Sequence, residues 1–120
     1  MLGMFLRVKR AMDFLTARPE WDGRNLLLLG HSQGAFQAIA GAYLDARVSA
    51  LAAGVPAGCD LSGESAGRCG GWPKIASACD APGRDRRKIM STAPYFDNAN
   101  FLAAVQCPAI FSVGWIDKCC

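Results

Sequence analysis

The sequence is poor in several things that would point to a function quickly. It has one histidine, His31. Its cysteines (Cys59, Cys69, Cys79, Cys107, Cys119 and Cys120) contain no CxxC pair and no histidine at finger spacing, which argues against a zinc site. No stretch approaches the roughly 18 consecutive apolar residues that a membrane-spanning helix needs. Arg7, Lys9 and Arg10 follow the first apolar residues instead of preceding them, the reverse of a secretory leader, so no signal peptide is expected here. Charge of one sign is also scarce: 13 Lys and Arg face 10 Asp and Glu, for a net charge of +3. The only dense run is Arg84, Asp85, Arg86, Arg87 and Lys88, short of the concentrated basic face of a nucleic-acid binder. Charged residues make up 19% and hydrophobic residues 52%, which excludes a disordered tail, a low-complexity linker or a collagen-like repeat. A length of 120 residues allows one domain at most.

Phe5, Val8, Met12 and Leu15 recur at helical steps, with Arg7, Lys9, Arg10 and Asp13 opposite as a solvated face, and Pro19 is expected to stop this helix. After the turn signal Asp22-Gly23, Asn25–Leu29 is an unbroken apolar run of strand length. Its lack of alternation predicts a parallel strand covered on both faces. Gly30-His31-Ser32-Gln33-Gly34 leads into an alanine-rich helix that stops near Asp45, and Val48–Val55 reads as a second strand ended by Pro56. From Pro56 to about Arg87 the chain is crowded with Gly, Pro, acidic residues and three cysteines, and it reads as a lid or insertion occupying 56–92. One or two disulfides, such as Cys69 with Cys79, fit this stretch in an oxidising compartment. Ala93–Gln106 is expected to be one short helix, and Ala109–Val113 a third strand followed by Gly114-Trp115-Ile116-Asp117. The predicted class is α/β, with parallel strands, flanking helices and a loop-rich insertion.

Strand, Gly30-x-Ser32-x-Gly34, helix is the pattern of a nucleophile elbow. A serine hydroxyl is a weak nucleophile and must be presented without steric cover to a base and an electrophile. A sharp, strained strand-to-helix turn does this, and the two glycines remove side chains that would collide with neighbouring backbone. The same turn aims the N–H of Gln33, at a helix start, toward the oxyanion that develops on an ester carbonyl. The plainer reading is a glycine-rich turn whose serine caps the helix or helps bind phosphate.

A serine nucleophile needs a histidine base and an acid to orient it, in the chain order Ser, Asp, His. Asp117, beyond the third strand at the sheet's active-site edge, is the acid candidate, and Asp60 is held in reserve; a turn aspartate is the plainer alternative for Asp117. His31 adjoins Ser32 and projects elsewhere, so it is expected to fit against surrounding loops instead of taking the serine proton. With the base missing and both outer strands apolar, the sequence is expected to be the middle of one larger hydrolase domain.

Ala11–Glu20 with its Arg-Pro-Glu, Gly30-His-Ser-Gln-Gly34, Leu44-Asp-Ala-Arg-Val48, Val55-Pro56 and Gly114-Trp-Ile-Asp117 resemble the acetyl xylan esterases and cephalosporin C deacetylases of the α/β-hydrolase fold. The resemblance implies a Ser-Asp-His esterase that removes acetyl groups from sugars and related alcohols without metal or cofactor. In that reading Ser32 is the nucleophile, Gln33 the oxyanion-hole N–H and Asp117 the triad acid. The histidine and a second oxyanion donor would lie outside these residues, and Ala35 replaces a glycine common after the elbow. Partners implied are small-molecule or carbohydrate esters, with no nucleic acid and no membrane. Two alternatives stand beside it: a peptidase or other acyl hydrolase on the same fold, and an inactive scaffold that binds a partner or ligand through the insertion, its surface lined by Trp72, Trp115 and Tyr95, for which the plainer reading is core.

Overall fold

The computed structural model describes residues 1–117 and 119. Helix α1 (Leu2–Thr16) buries Phe5 and Met12, while Leu15 remains 54% exposed, so the apolar seam is narrower than its periodicity predicts. It ends three residues before Pro19, where the Ala17 N–H bonds to Asp13 O and the Thr16 hydroxyl turns back to Met12 O. The charged side of α1 is not simply solvated. Lys9 pairs with Asp13 one turn on, and Arg47, from the turn after α2 (Gln33–Leu44), reaches both Asp13 and the buried Asp45. This ionic clamp ties the first helix to the end of the second.

Three parallel strands, β1 (Leu27–His31), β2 (Ala50–Gly54) and β3 (Ala109–Ser112), lie in the order β1-β2-β3. β1 starts two residues later than its apolar run and continues through Gly30 and His31, because pairing with β2 sets its limits. At the start, the Ser49 N–H bonds to Leu26 O and the Ser49 hydroxyl accepts from the Leu26 N–H. α2 packs on the sheet with Ala35, Phe36, Ala38, Ile39 and Ala40 all buried. One core joins Met12, Leu26, Ala38, Ile39, Val48 and Leu51, and a second gathers Phe5, Phe36, Ala40 and Ala57.

The expectation that both sheet faces are covered is corrected. Leu27 is 66% exposed, Leu29 85% and Ile110 69%. The helices that pack on the sheet do so from one side, leaving the other face bare among the described residues.

Residues 56–92 hold a 3₁₀ turn (Gly63–Ala66) and two short helices, α3 (Ile75–Ala78) and α4 (Arg86–Thr92). Cys69 and Cys79 are not joined. Both are free thiols, Cys79 turned into the interior at the end of α3 and Cys69 exposed; Cys120 lies outside the described residues. The single helix expected over Ala93–Gln106 is two pieces, a 3₁₀ turn (Ala93–Phe96) and α5 (Asn98–Leu102), broken where Asp97 leaves the helical region at φ −85°, ψ 117° to cap α5. α5 returns against α2 through a Tyr43–Phe101 ring stack 4.7 Å apart.

Candidate active site

The parallel register sets His31, Gly54 and Ser112 level across the sheet. The loops that leave these three residues therefore share one edge, the carboxyl edge at which open α/β sheets bind ligands. Ser32 is the first residue past β1.

Its backbone stands at φ 51°, ψ −116°, a region that residues with a Cβ rarely enter. Three backbone hydrogen bonds hold it there. Its N–H donates to Gly54 O at 2.9 Å, and its carbonyl accepts from Phe36 N at 3.1 Å and Ala57 N at 3.3 Å. The Ser32 side chain does not cap α2, which removes the helix-capping explanation of this serine. Gly30 is required by space: a Cβ there would sit 2.2 Å from Gly34 O and 2.5 Å from Ala35 N. The same requirement does not extend to Gly34, where a Cβ meets nothing within 4 Å, so that expectation is corrected.

Gln33 opens α2, and its N–H is one of those left without an intrahelical acceptor at a helix start. It lies at the positive end of the helix dipole, next to Ser32 in sequence, which suits it to stabilise negative charge on a bound carbonyl oxygen.

Asp117 is exposed, in the turn after β3. Its N–H donates to Gly114 O, and its Oδ1 accepts from Cys119 N at 2.8 Å. Asp60, the reserve acid, is committed elsewhere. Arg68 donates to both of its oxygens, at 2.8 and 2.7 Å, and that guanidinium holds the carboxyl below the usual carboxylate range. His31 ends β1 on the bare sheet face, with its ring over Gly54, and is exposed instead of packed among loops.

The loops of this edge are stitched together by backbone. Gly58 N–H donates to Trp72 O at 2.6 Å, and Trp72 N–H donates to Cys119 O at 3.0 Å. The stretch after β2 is thus joined, through Trp72, to the turn that carries Asp117. Val55, where the chain leaves β2, also has a positive φ (39°), an outlier for a β-branched residue. Trp72 is 39% exposed, Tyr95 77% and Trp115 100%, so none of these aromatics is core.

Two polar residues at this edge were not singled out from sequence. Asp97 accepts from the N–H groups of Asp60, Leu61 and Ala99, and Asn98 is fully buried beside the elbow. The available signal was an Asp-Asn pair just before the apolar Ala99, Phe101 and Leu102, the signature of a helix cap. Among the described residues, no group of three or more His, Cys, Asp or Glu side chains is arranged to hold a metal ion.

A family model described as acetyl xylan esterase matches residues 2–120, running through the 56–92 segment as well. An acetyl esterase of Xylanibacter ruminicola is 34% identical over 123 residues, covering 98% of this chain and 26% of that protein. An acetyl xylan esterase from Paenibacillus sp. R4 superposes with a TM-score of 0.74 at 26% identity, over 89% of this chain and 35% of that one. The chain therefore spans about a quarter to a third of the length of these relatives, and its α/β arrangement is that of part of an α/β-hydrolase. On the match across nearly all of its residues, the chain belongs to the acetyl xylan esterase family.

Proposed function

We propose that Ser32 is the nucleophile of a serine carboxylesterase that removes acetyl groups from sugars or related alcohols. The observation that carries this reading is the strained Ser32 backbone at a strand-to-helix turn that tolerates only glycine at position 30. Family membership supports the substrate class.

Ser32 Oγ attacks the acetyl carbonyl while a histidine takes its proton. That histidine comes from outside these 120 residues, because His31 faces the bare side of the sheet. Asp117 orients the imidazole, and the Gln33 N–H receives the oxyanion of the tetrahedral intermediate. The alcohol departs with the proton from histidine, and water then releases acetate from the acetyl-serine. No metal or cofactor enters these steps. The 120 residues alone are close to inactive, since a triad without its base loses most of its rate. The 56–92 segment leaves the sheet at this same edge after β2 and serves as a lid or insertion of the site.

The test uses the complete protein that carries this chain. A fluorophosphonate probe should label Ser32, and Ser32→Ala should abolish labelling and hydrolysis of p-nitrophenyl acetate. Acetyl esters should turn over faster than longer acyl esters or aminoacyl amides. Preference for amides, or labelling that persists in Ser32→Ala, overturns the assignment.

A further inference from the structure

Asn98 is the one described residue whose buried side chain keeps a polar atom, Oδ1, without a hydrogen-bond partner. Burying an unpaired carbonyl oxygen costs stability, and a residue kept only to fill space there would be apolar. The other end of the amide shows what holds it in place. Nδ2 donates to Phe36 O at 3.1 Å and to Ala57 O at 3.4 Å, and the Asn98 N–H donates to Gly58 O at 2.8 Å.

Phe36 and Ala57 are the same two residues whose N–H groups converge on the carbonyl of Ser32. A closed ring results: Ser32 O to Phe36, Phe36 O to the Asn98 amide, the amide to Ala57 O, and Ala57 N–H back to Ser32 O. Gly58 tightens it. It has a positive φ of 71°, and a Cβ there would strike the Phe36 ring at 2.2 Å. The helix that carries the elbow and the loop after β2 are thus clamped from behind by one side chain drawn from a distant part of the chain.

We propose that Asn98 is a positioning residue for the nucleophile: its amide locks Phe36 and Ala57 together and so maintains the strained Ser32 backbone that presents the hydroxyl. It touches neither substrate nor reacting atoms. This inference rests on Ser32 being the nucleophile, and it adds a residue, remote in sequence, on which the rate depends.

The experiment compares Asn98→Ala with Val48→Ala, a core truncation away from the elbow, in the complete protein. Each is read by kcat and KM for p-nitrophenyl acetate, by melting temperature and by amide hydrogen exchange. For Asn98→Ala, kcat per folded molecule should fall about 10- to 100-fold with KM within about twofold, as misplacement of a reacting group predicts. Exchange should rise in 32–36 and 55–58. Val48→Ala should lower the melting temperature yet leave kcat and those two segments unchanged. If Asn98→Ala does not fold, Asn98→Ser, with its shorter donor, reports the same quantities. Unchanged kcat with a lowered melting temperature overturns the proposal and leaves Asn98 a structural residue. If wild-type Ser32 takes no fluorophosphonate, the esterase reading fails separately. Exchange then decides alone, and unaltered protection of 32–36 in the Asn98 variant sinks the clamp.

Discussion

A methyl group added at position 30 and one added at position 34 should have opposite consequences. At Gly30 the new carbon would overlap Gly34 O and the neighbouring amide, so either the turn opens or the helix start shifts. Gly30→Ala should cost about 3 kcal/mol or more in urea unfolding and abolish labelling of Ser32. At Gly34 the space is open, and alanine suits a helix better than glycine by about 1 kcal/mol, so Gly34→Ala should leave stability unchanged or slightly raised. Acid titration probes a different residue. The Arg47 guanidinium beside Asp45, with its backbone N–H, holds that carboxyl down at about 2 despite its burial. In the unfolded chain it titrates near the ordinary value of 3.8. The clamp's contribution, roughly 2 kcal/mol, is therefore complete above about pH 4 and disappears as the pH falls through 2. Melting temperature should drop over that window more steeply in the wild type than in Asp45→Asn. Asp13, Asp22 and Asp60, whose carboxyls are also lowered, leave a residual slope.

Among the elements, α5 depends on a single carboxylate. Asp97 caps it through Ala99 N and at the same time accepts from Asp60 N and the buried Leu61 N. Asp97→Ala should cost about 3 kcal/mol, seen as a lower urea midpoint with unchanged slope, because three N–H groups lose their acceptor at once. Such multiple service also marks where reading from sequence succeeded and where it failed. The elbow was legible because its cause is local: glycine spacing, an apolar strand before it and a periodic helix after it. The parallel strands and the helix after Ser32 followed from the same local signals. The break at Asp97 carried a local cap signature, but its second service, to amides 36 and 37 residues away, was not legible. Asn98 was invisible for the same reason: its partners at Phe36 and Ala57 are far off in sequence. The leucine run misled for another reason. A non-alternating apolar strand states that both faces want cover, not that the cover is nearby.

For the molecule as a whole, that bare sheet face has a measurable effect. Leu27, Leu29 and Ile110 form an apolar surface of the kind that drives association. The isolated 120-residue chain should elute as more than a monomer in size-exclusion chromatography with light scattering. Leu29→Lys combined with Ile110→Lys should shift it toward monomer while changing stability by no more than about 0.5 kcal/mol. The Trp72 bridge matters at the same scale. With its carbonyl bound to Gly58 and its amide to Cys119, one residue of the 56–92 segment acts as a strut between the ground beside the proposed nucleophile and the turn of the candidate acid. Changes within that segment, far from any bond being broken, would then retune the spacing of Ser32 and Asp117, so on the proposed mechanism variation there can alter turnover as readily as it alters what fits beneath it.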